Sequence, residues 1–158
     1  MRRSMLAFLL LALAGCATAS QTQWVTFPID QGGKGVPLET WLREHPLKAG
    51  QDVSIEEISR GDTASTAIVQ IRGRQSSHLH EGHDVIIILL KGRGMLTAGG
   101  RNLEVRPGSI VTLPRGTAHS FISKSSEPAV AYALFTPAFD GKDIVPVPEE
   151  SLVKKQDQ

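Results

Sequence analysis

The sequence predicts an all-β domain built from antiparallel strands. From about residue 53 onward, short segments rich in β-branched residues follow one another, with turn residues between them and no long helical pattern. The 158 residues allow one domain and leave little room for a second core. Strands at such even spacing build a sandwich or a barrel. We therefore expect a single β-barrel or sandwich over residues 53–140.

The strands of this region can be placed in order. The segments "VSIEEIS" and "STAIVQIRG" are separated by the turn-like "RGDTA". The stretch "MLTAGGRNLEVRPGSIVTLPRG" predicts a hairpin around Gly99-Gly100, then a Pro-Gly turn and a further strand. The segment "AVAYALF" alternates, with Val130, Tyr132 and Leu134 on one face.

The regions on either side of the barrel carry weaker signals. Residues 24–52 form an N-terminal arm with one short helix, because Leu38, Trp41 and Leu42 have helical spacing and Pro46 ends the pattern. His45, just before that proline, is interpreted as a surface residue. Residues 141–158 are interpreted as a polar C-terminal tail.

One strand is apolar on both faces. Residues 85–90 read "VIIILL", so both sides of this strand should be buried. One side would line the barrel, with Ile87 and Leu89 on the inner face. The other side needs a cover, either the N-terminal arm or a second copy of the protein in a homodimer.

The N-terminus predicts export. Arg2 and Arg3 precede a ten-residue apolar run, and small residues lead to Cys16. A membrane span needs about 20 apolar residues, so the run is interpreted as a signal peptide, residues 1–15. The order "LAGC" resembles the bacterial lipobox, which implies cleavage before Cys16 and lipidation of this cysteine.

Lipidation of Cys16 predicts a membrane-anchored protein. Cys16 is the only cysteine of the chain, so it has no internal disulfide partner. Several acyl chains on one residue give stable anchoring, and residues 16–23 would form a short tether. Ala17 follows the cysteine, and resemblance to enterobacterial sorting then implies a periplasm-facing position on the outer membrane.

The charge of the processed chain argues against nucleic-acid binding. Without the signal peptide, 15 Lys and Arg remain against 16 Asp and Glu, a formal charge of −1. The chain contains one Tyr and two Trp, too few for a stacking platform. We therefore expect a small-molecule partner and no nucleic acid.

Three of the five histidines lie in "SSHLHEGHD". His78 and His80 are two residues apart, so on a strand they share one face, the spacing that a pair of metal ligands needs. His119 follows a later strand and a Pro-x-Gly turn. Such pairs also occur by chance in turns, so this spacing alone is a weak signal.

The two segments together resemble the cupin family. The second cupin motif is matched by Gly108, Pro114, Gly116 and His119, and the first by His78, His80 and Gly92. Ser123 stands where the family has asparagine, and Gly73 lies one residue too close. The resemblance covers roughly residues 53–140. It implies a single antiparallel cupin β-barrel of the jelly-roll type, with His78, His80 and His119 converging inside as metal ligands.

The chain departs from the family at the carboxylate ligand. Counted back from Gly92, the glutamate position of the first motif falls on Val85, which cannot bind a metal. A one-residue shift would place Asp84 there instead. We favour the Val85 register because a glycine turn is a backbone requirement. His83 and Asp84 are then loop or outward-facing residues.

Three histidines with an open position suit a divalent metal ion, with Zn, Fe, Mn and Ni as candidates. Three hypotheses remain open. The protein is a metalloenzyme acting on a small molecule, a non-catalytic module that binds a small ligand or metal, or an interaction protein that dimerises through residues 85–90. A metal-free cupin that retains its histidines as scaffold residues is the alternative to metal binding.

Overall fold

The computed structural model of the protein describes residues 22–27 and 32–152. Within these ranges the chain is almost entirely β-structure. In chain order the elements are β1 (Trp24–Thr26), β2 (Gly35–Pro37), α1 (Leu38–Glu44), β3 (Val53–Arg60), β4 (Ser65–Ile71), β5 (Arg74–His80), β6 (Asp84–Lys91), β7 (Gly94–Ala98), β8 (Arg101–Val105), β9 (Ile110–Leu113), β10 (His119–Ser123), β11 (Ala129–Thr136), β12 (Ile144–Pro146) and a 3₁₀ helix (Glu149–Leu152).

Two five-stranded antiparallel sheets enclose the core. The first sheet has the order β3-β4-β11-β6-β9 and the second β12-β5-β10-β7-β8, while β1 and β2 pair separately. Apolar side chains from the inner faces of both sheets bury one another in a single cluster. This burial, and not intrinsic strand preference, provides most of the stabilisation of a sheet. The predicted all-β antiparallel fold is confirmed.

The individual elements follow the sequence pattern closely. The hairpin between β7 and β8 turns at Gly99 and Gly100, both with positive φ (53° and 78°), as a two-residue hairpin turn requires. The short helix ends at Glu44, two residues before Pro46. The fully buried β4 packs Val69 into the core and Ile68 against the N-terminal arm, so both of its faces are covered.

The N-terminal arm covers part of the outer face of the first sheet. Leu38 and Trp41 of α1 and Val25 of β1 pack with Ile68 and Val130 in a second apolar cluster. Leu90 and Tyr132 pack against this cluster from the sheet. The arm is therefore the cover that the C-terminal half of "VIIILL" requires.

The cover is incomplete at the other end of β6. Ile86 is 37% exposed, and Ile110 on the neighbouring strand β9 is 68% exposed. Ile88 pairs with Ile110 across the two strands, so these outward-facing side chains form one apolar area. The homodimer predicted from this strand stays a prediction.

The second sheet continues beyond residue 140, into the segment interpreted as a polar tail. Strand β12 pairs with β5, with Ile144 opposite His80 and Pro146 opposite His78, so the second sheet includes part of the predicted tail. A three-residue strand is too short to show a period, and its proline is tolerated because β12 is an edge strand. Beyond it, Leu152 is buried at 2% exposure.

The predicted signal peptide, Cys16 and most of the tether lie outside the described residues. Among the residues that are described, none of the helices combines the length and the apolar character needed to cross a membrane.

Among the described glycines, Gly94 is the one whose substitution should lower the stability of the fold most. A Cβ at this position would lie 2.3 Å from Cζ of Phe121 and 2.4 Å from the carbonyl oxygen of Ile122. We expect Gly94→Ala to lower the free energy of unfolding by at least about 1–3 kcal/mol, because a packed core must shift to accept the methyl group. Urea denaturation measures the effect.

Gly61→Ala is the matched control, because its new Cβ would lie at an ordinary 3.7 Å from the carbonyl oxygen of Ala64. Equal stability losses in both variants would contradict the packing argument.

Candidate metal centre

The second sheet brings the three predicted histidines together. His78 and His80 end β5, and His119 begins β10, its antiparallel neighbour. The register places His119 opposite His78, and the two-residue spacing turns His80 to the same face. One nitrogen from each ring lies within 4.8 Å of the corresponding atom of the others, and all three residues are buried.

Each of the three rings is held through Nδ1. His78 donates from Nδ1 to the carbonyl oxygen of Ser76 at 2.8 Å, and His119 donates to that of Thr117 at 3.0 Å. His80 donates to a carboxylate oxygen of Asp143 at 3.2 Å. Because these partners are all acceptors, Nδ1 carries the proton and Nε2 keeps its lone pair. Three Nε2 atoms are therefore available for a common centre.

Burial disfavours the protonated form of two of the three rings, those of His78 and His119. Burial, together with the neighbouring His78 and His80, lowers the pKa of His119 to about 4, although the Thr117 carbonyl acts against this. Burial also lowers the pKa of His78. A metal ligand must be unprotonated, so these two rings meet that condition at neutral pH.

The donor set fits a divalent transition metal. Three neutral imidazoles suit zinc, iron or nickel, whereas magnesium and calcium prefer oxygen ligands. Each ring also has the hydrogen bond to its second nitrogen that metal-binding histidines ordinarily make. His78, His80 and His119 are thus a group that could hold a metal ion.

Comparison with known proteins gives the family. A family model described as a cupin domain matches residues 66–135, which include all three histidines. An uncharacterized protein of Aquifex aeolicus (strain VF5) is 31% identical over 97 residues, which cover 61% of this chain and 79% of that protein. The chain belongs to the cupin family.

Two further proteins are similar to part of this chain, one in sequence and one in structure. Human 3-hydroxyanthranilate 3,4-dioxygenase is 30% identical over 86 residues, which cover 53% of this chain and 29% of that enzyme. The structure of KdgF from Halomonas sp. aligns with a TM-score of 0.55 at 22% identity, over 62% of this chain and 91% of that one.

The residue predicted at the carboxylate position by the count from Gly92 is the apolar Val85. Val85 is buried and lines the same cavity as the three histidines. Gly92, from which the register was counted, has a positive φ of 78°. Asp84 points outward, where it pairs with the guanidinium of Arg115 at 2.8 Å, and hydrogen bonds from Arg115 lower the pKa of its carboxyl to about 2.

Two residues near the histidines were not predicted as part of the site. His83 lies in the turn between β5 and β6, as expected, but its side chain is buried at 6% exposure. It hydrogen-bonds to Asp143, the same carboxylate that holds His80. A lone aspartate before a three-residue strand, some sixty positions along the chain, carries no sequence signal for this role.

The three rings line a small apolar cavity inside the barrel, here called the site chamber, of about 60 Å³. A second cavity of about 40 Å³ shares part of this lining, including His119 and Gln75. The residues that line the site chamber are Ile55, Val69, Ile71, Gln75, His78, His80, Val85, Ile87, His119, Ala131, Ala133, Phe135 and Ile144.

A β-bulge turns Gln75 into the site chamber. Between His119 and Phe121 the register with β5 shifts, so that Phe121 pairs with Gln75. The extra residue on β5 places Gln75 on the same inner face as His78, although three positions separate them. Apart from the histidines, Gln75 is the polar residue among the described residues that line the chamber.

Burial of His119 predicts an acid-sensitive fold in the metal-free protein. The unfolded chain takes up this proton near pH 6.5, whereas the folded state resists it down to about pH 4. The unfolded state therefore binds more protons between these values, and the free energy of unfolding falls as the pH falls through this window. At about 1.4 kcal/mol per pKa unit, the loss should reach a few kcal/mol.

Denaturation of chelator-treated protein across pH 4–7 measures this loss, and His119→Gln should make the profile shallower. Parallel profiles for the two proteins would contradict the assignment to His119.

Proposed function

We propose that this protein is a membrane-anchored cupin that holds a divalent metal ion at His78, His80 and His119 and binds or transforms a small molecule there. The observation that supports it is the arrangement of the three buried rings, each with Nδ1 engaged and Nε2 available to a common centre. This pre-set geometry is what a metal site needs before the ion arrives.

The candidate ions are zinc, iron, manganese and nickel. A bound ion with an open position would supply Lewis-acid polarisation, activation of water or, with iron, oxygen chemistry. The absence of a carboxylate at Val85 leaves the ligand set neutral. The residues of the chain would therefore contribute three nitrogens and an apolar wall that includes Val85.

The site chamber indicates the class of ligand. Its wall is formed by aliphatic residues and Phe135, which exclude water and favour an apolar group. With about 60 Å³ it admits only a few heavy atoms, so the ligand is small or inserts one end. Gln75 offers an amide that hydrogen-bonds a polar group of the ligand and orients it toward the histidines.

The cupin relatives are compatible with a small-molecule role. The human relative is named as a dioxygenase of 3-hydroxyanthranilate, a small organic substrate. The replacement of the family carboxylate by Val85 supports a second candidate, a metal-free module that binds a small ligand without converting it. A ligand that saturates the protein, with no product formed and no metal present, would favour that second candidate.

Retention of the metal should require all three histidine ligands. We expect tag-free protein reconstituted with Zn²⁺ to retain about one ion per chain. His80→Ala should abolish retention, because the remaining pair lacks the third nitrogen. Elemental analysis after gel filtration measures the ratio.

Two control variants should retain the ion in this experiment. His45 is exposed and stacks on Trp41, with ring centroids 4.2 Å apart, so His45→Ala leaves the site intact. Asp84→Asn tests the alternative register. Retention of a full complement by His80→Ala, or loss of the ion in Asp84→Asn, would contradict the ligand set.

Membrane anchoring through Cys16 has its own test. Cys16→Ser should prevent acylation and release the protein from the membrane fraction of a bacterial host, because one hydroxyl cannot carry the thioether-linked lipid. Metabolic labelling with a fatty acid and fractionation measure both effects. Ala17→Asp is the matched variant, since it should stay acylated and move to the inner membrane. Membrane attachment of Cys16→Ser would overturn the anchor.

A homodimer is the remaining part of the proposal. The outward-facing residues Ile86 and Ile110 form the apolar area on which a second copy would pack.

A further inference from the structure

We propose that Asp143 is the positioning residue of the metal site, and that His83 holds it in place. This inference rests on the proposed metal site, and it adds two residues that act through His80 without binding the ion. Asp143 contacts His80 through one carboxylate oxygen and His83 through the other. The histidine ligand on β5 is therefore supported by the residue that directly precedes β12.

The three rings are not supported in the same way. His78 and His119 each donate to the backbone carbonyl two residues before them, a contact that the strand itself provides. His80 donates to a side chain 63 positions later in the chain. Its tautomer and ring orientation consequently depend on one replaceable group.

Asp143 is fixed from three sides. The next residue, Ile144, pairs with His80 in the sheet and so sets the position of the backbone. The amide of Gly82 donates to Oδ2 of Asp143 at 3.1 Å, and His83 donates to the same oxygen. These contacts leave Oδ1 directed at His80. Burial raises the pKa of the Asp143 carboxyl, but the hydrogen bonds from His83, His80 and Gly82 outweigh it and lower the pKa.

His83 is bonded at both ring nitrogens. Nδ1 faces the Asp143 carboxylate, and Nε2 lies 3.2 Å from the carbonyl oxygen of Ala138. Both ring nitrogens of His83 are thus engaged, Nδ1 by Asp143 and Nε2 by the segment between β11 and β12, so the ring is held between the two.

Asp143 gives the site the carboxylate that its ligand set lacks. A carboxylate behind a histidine ligand fixes the tautomer and raises the basicity of the opposite nitrogen. With Val85 in the motif, no carboxylate would bind the ion directly. Asp143 instead places a carboxylate behind His80, on the Nδ1 side of that ring. Among the described residues, Asp143 is the acidic side chain that contacts the three-histidine group.

The test uses full-length processed protein and three variants. Asp143→Ala removes the acceptor. Asp143→Asn keeps the size but replaces an acceptor oxygen with a donor, and His83→Gln releases the other side of the pair. Asp140→Asn is the control, because Asp140 lies in the same segment, is exposed and accepts the backbone amide of Lys142.

Two readouts separate positioning from general stability. The first is ¹⁵N NMR of the imidazoles in metal-free protein, which reports the tautomer of His80. The second is Zn²⁺ affinity by competition with a chelator, with thermal melts alongside. We expect Asp143→Ala and Asp143→Asn to lose the fixed Nδ1–H tautomer of His80 and to bind Zn²⁺ about 10–100-fold more weakly. His83→Gln should shift both readouts in the same direction, and Asp140→Asn neither.

The outcomes distinguish this inference from the proposed function. A wild-type protein that fails to bind Zn²⁺, with a His80 tautomer that still depends on Asp143, would overturn the metal site and leave the positioning role standing. Wild-type Zn²⁺ affinity and an unchanged His80 tautomer in folded Asp143→Asn would overturn the positioning role and leave the metal site. If Asp143→Ala does not fold, Asp143→Asn decides.

Discussion

The antiparallel pairing of β5 with β10 is the constraint on which the candidate site depends. It sets His119 opposite His78, and strand alternation then brings His80 to the same face. A slip of one residue would turn one of these side chains outward. The same pairing contains the bulge that turns Gln75 inward. One strand pair therefore specifies the nitrogens and the polar group of the site chamber together.

The remaining elements exclude water from this strand pair and hold it in place. The first sheet closes the chamber with aliphatic side chains, and the N-terminal arm buries part of that sheet's outer face. Three rings in an apolar space are tolerable only while they are neutral, since a buried charge without a partner is costly. The pKa values of His78 and His119 are lowered for the same reason, because burial disfavours the charged form. A divalent ion is the partner that this arrangement accommodates.

Sequence patterns located most of the fold and the three histidines, because both depend on regular spacing. The count from the glycine turn at Gly92 places Val85 in the carboxylate position, and this register stays a prediction. The support of His80 was not predictable in this way. Asp143 reaches it through a short edge strand without a period, and the burial of His83 depends on a segment far along the chain. The bulge at Gln75 interrupts the alternation of inward and outward side chains, which is the pattern used to predict the faces of a strand from its sequence.

X-ray absorption spectroscopy of the Zn²⁺-loaded protein tests the central claim most directly, because it counts the imidazoles around the ion. The account predicts three imidazole nitrogens at about 2.0–2.1 Å and one further light ligand. The imidazole scattering should fall in the His80→Ala protein. A first shell with one imidazole or none, filled by oxygen ligands, would contradict the three-histidine centre.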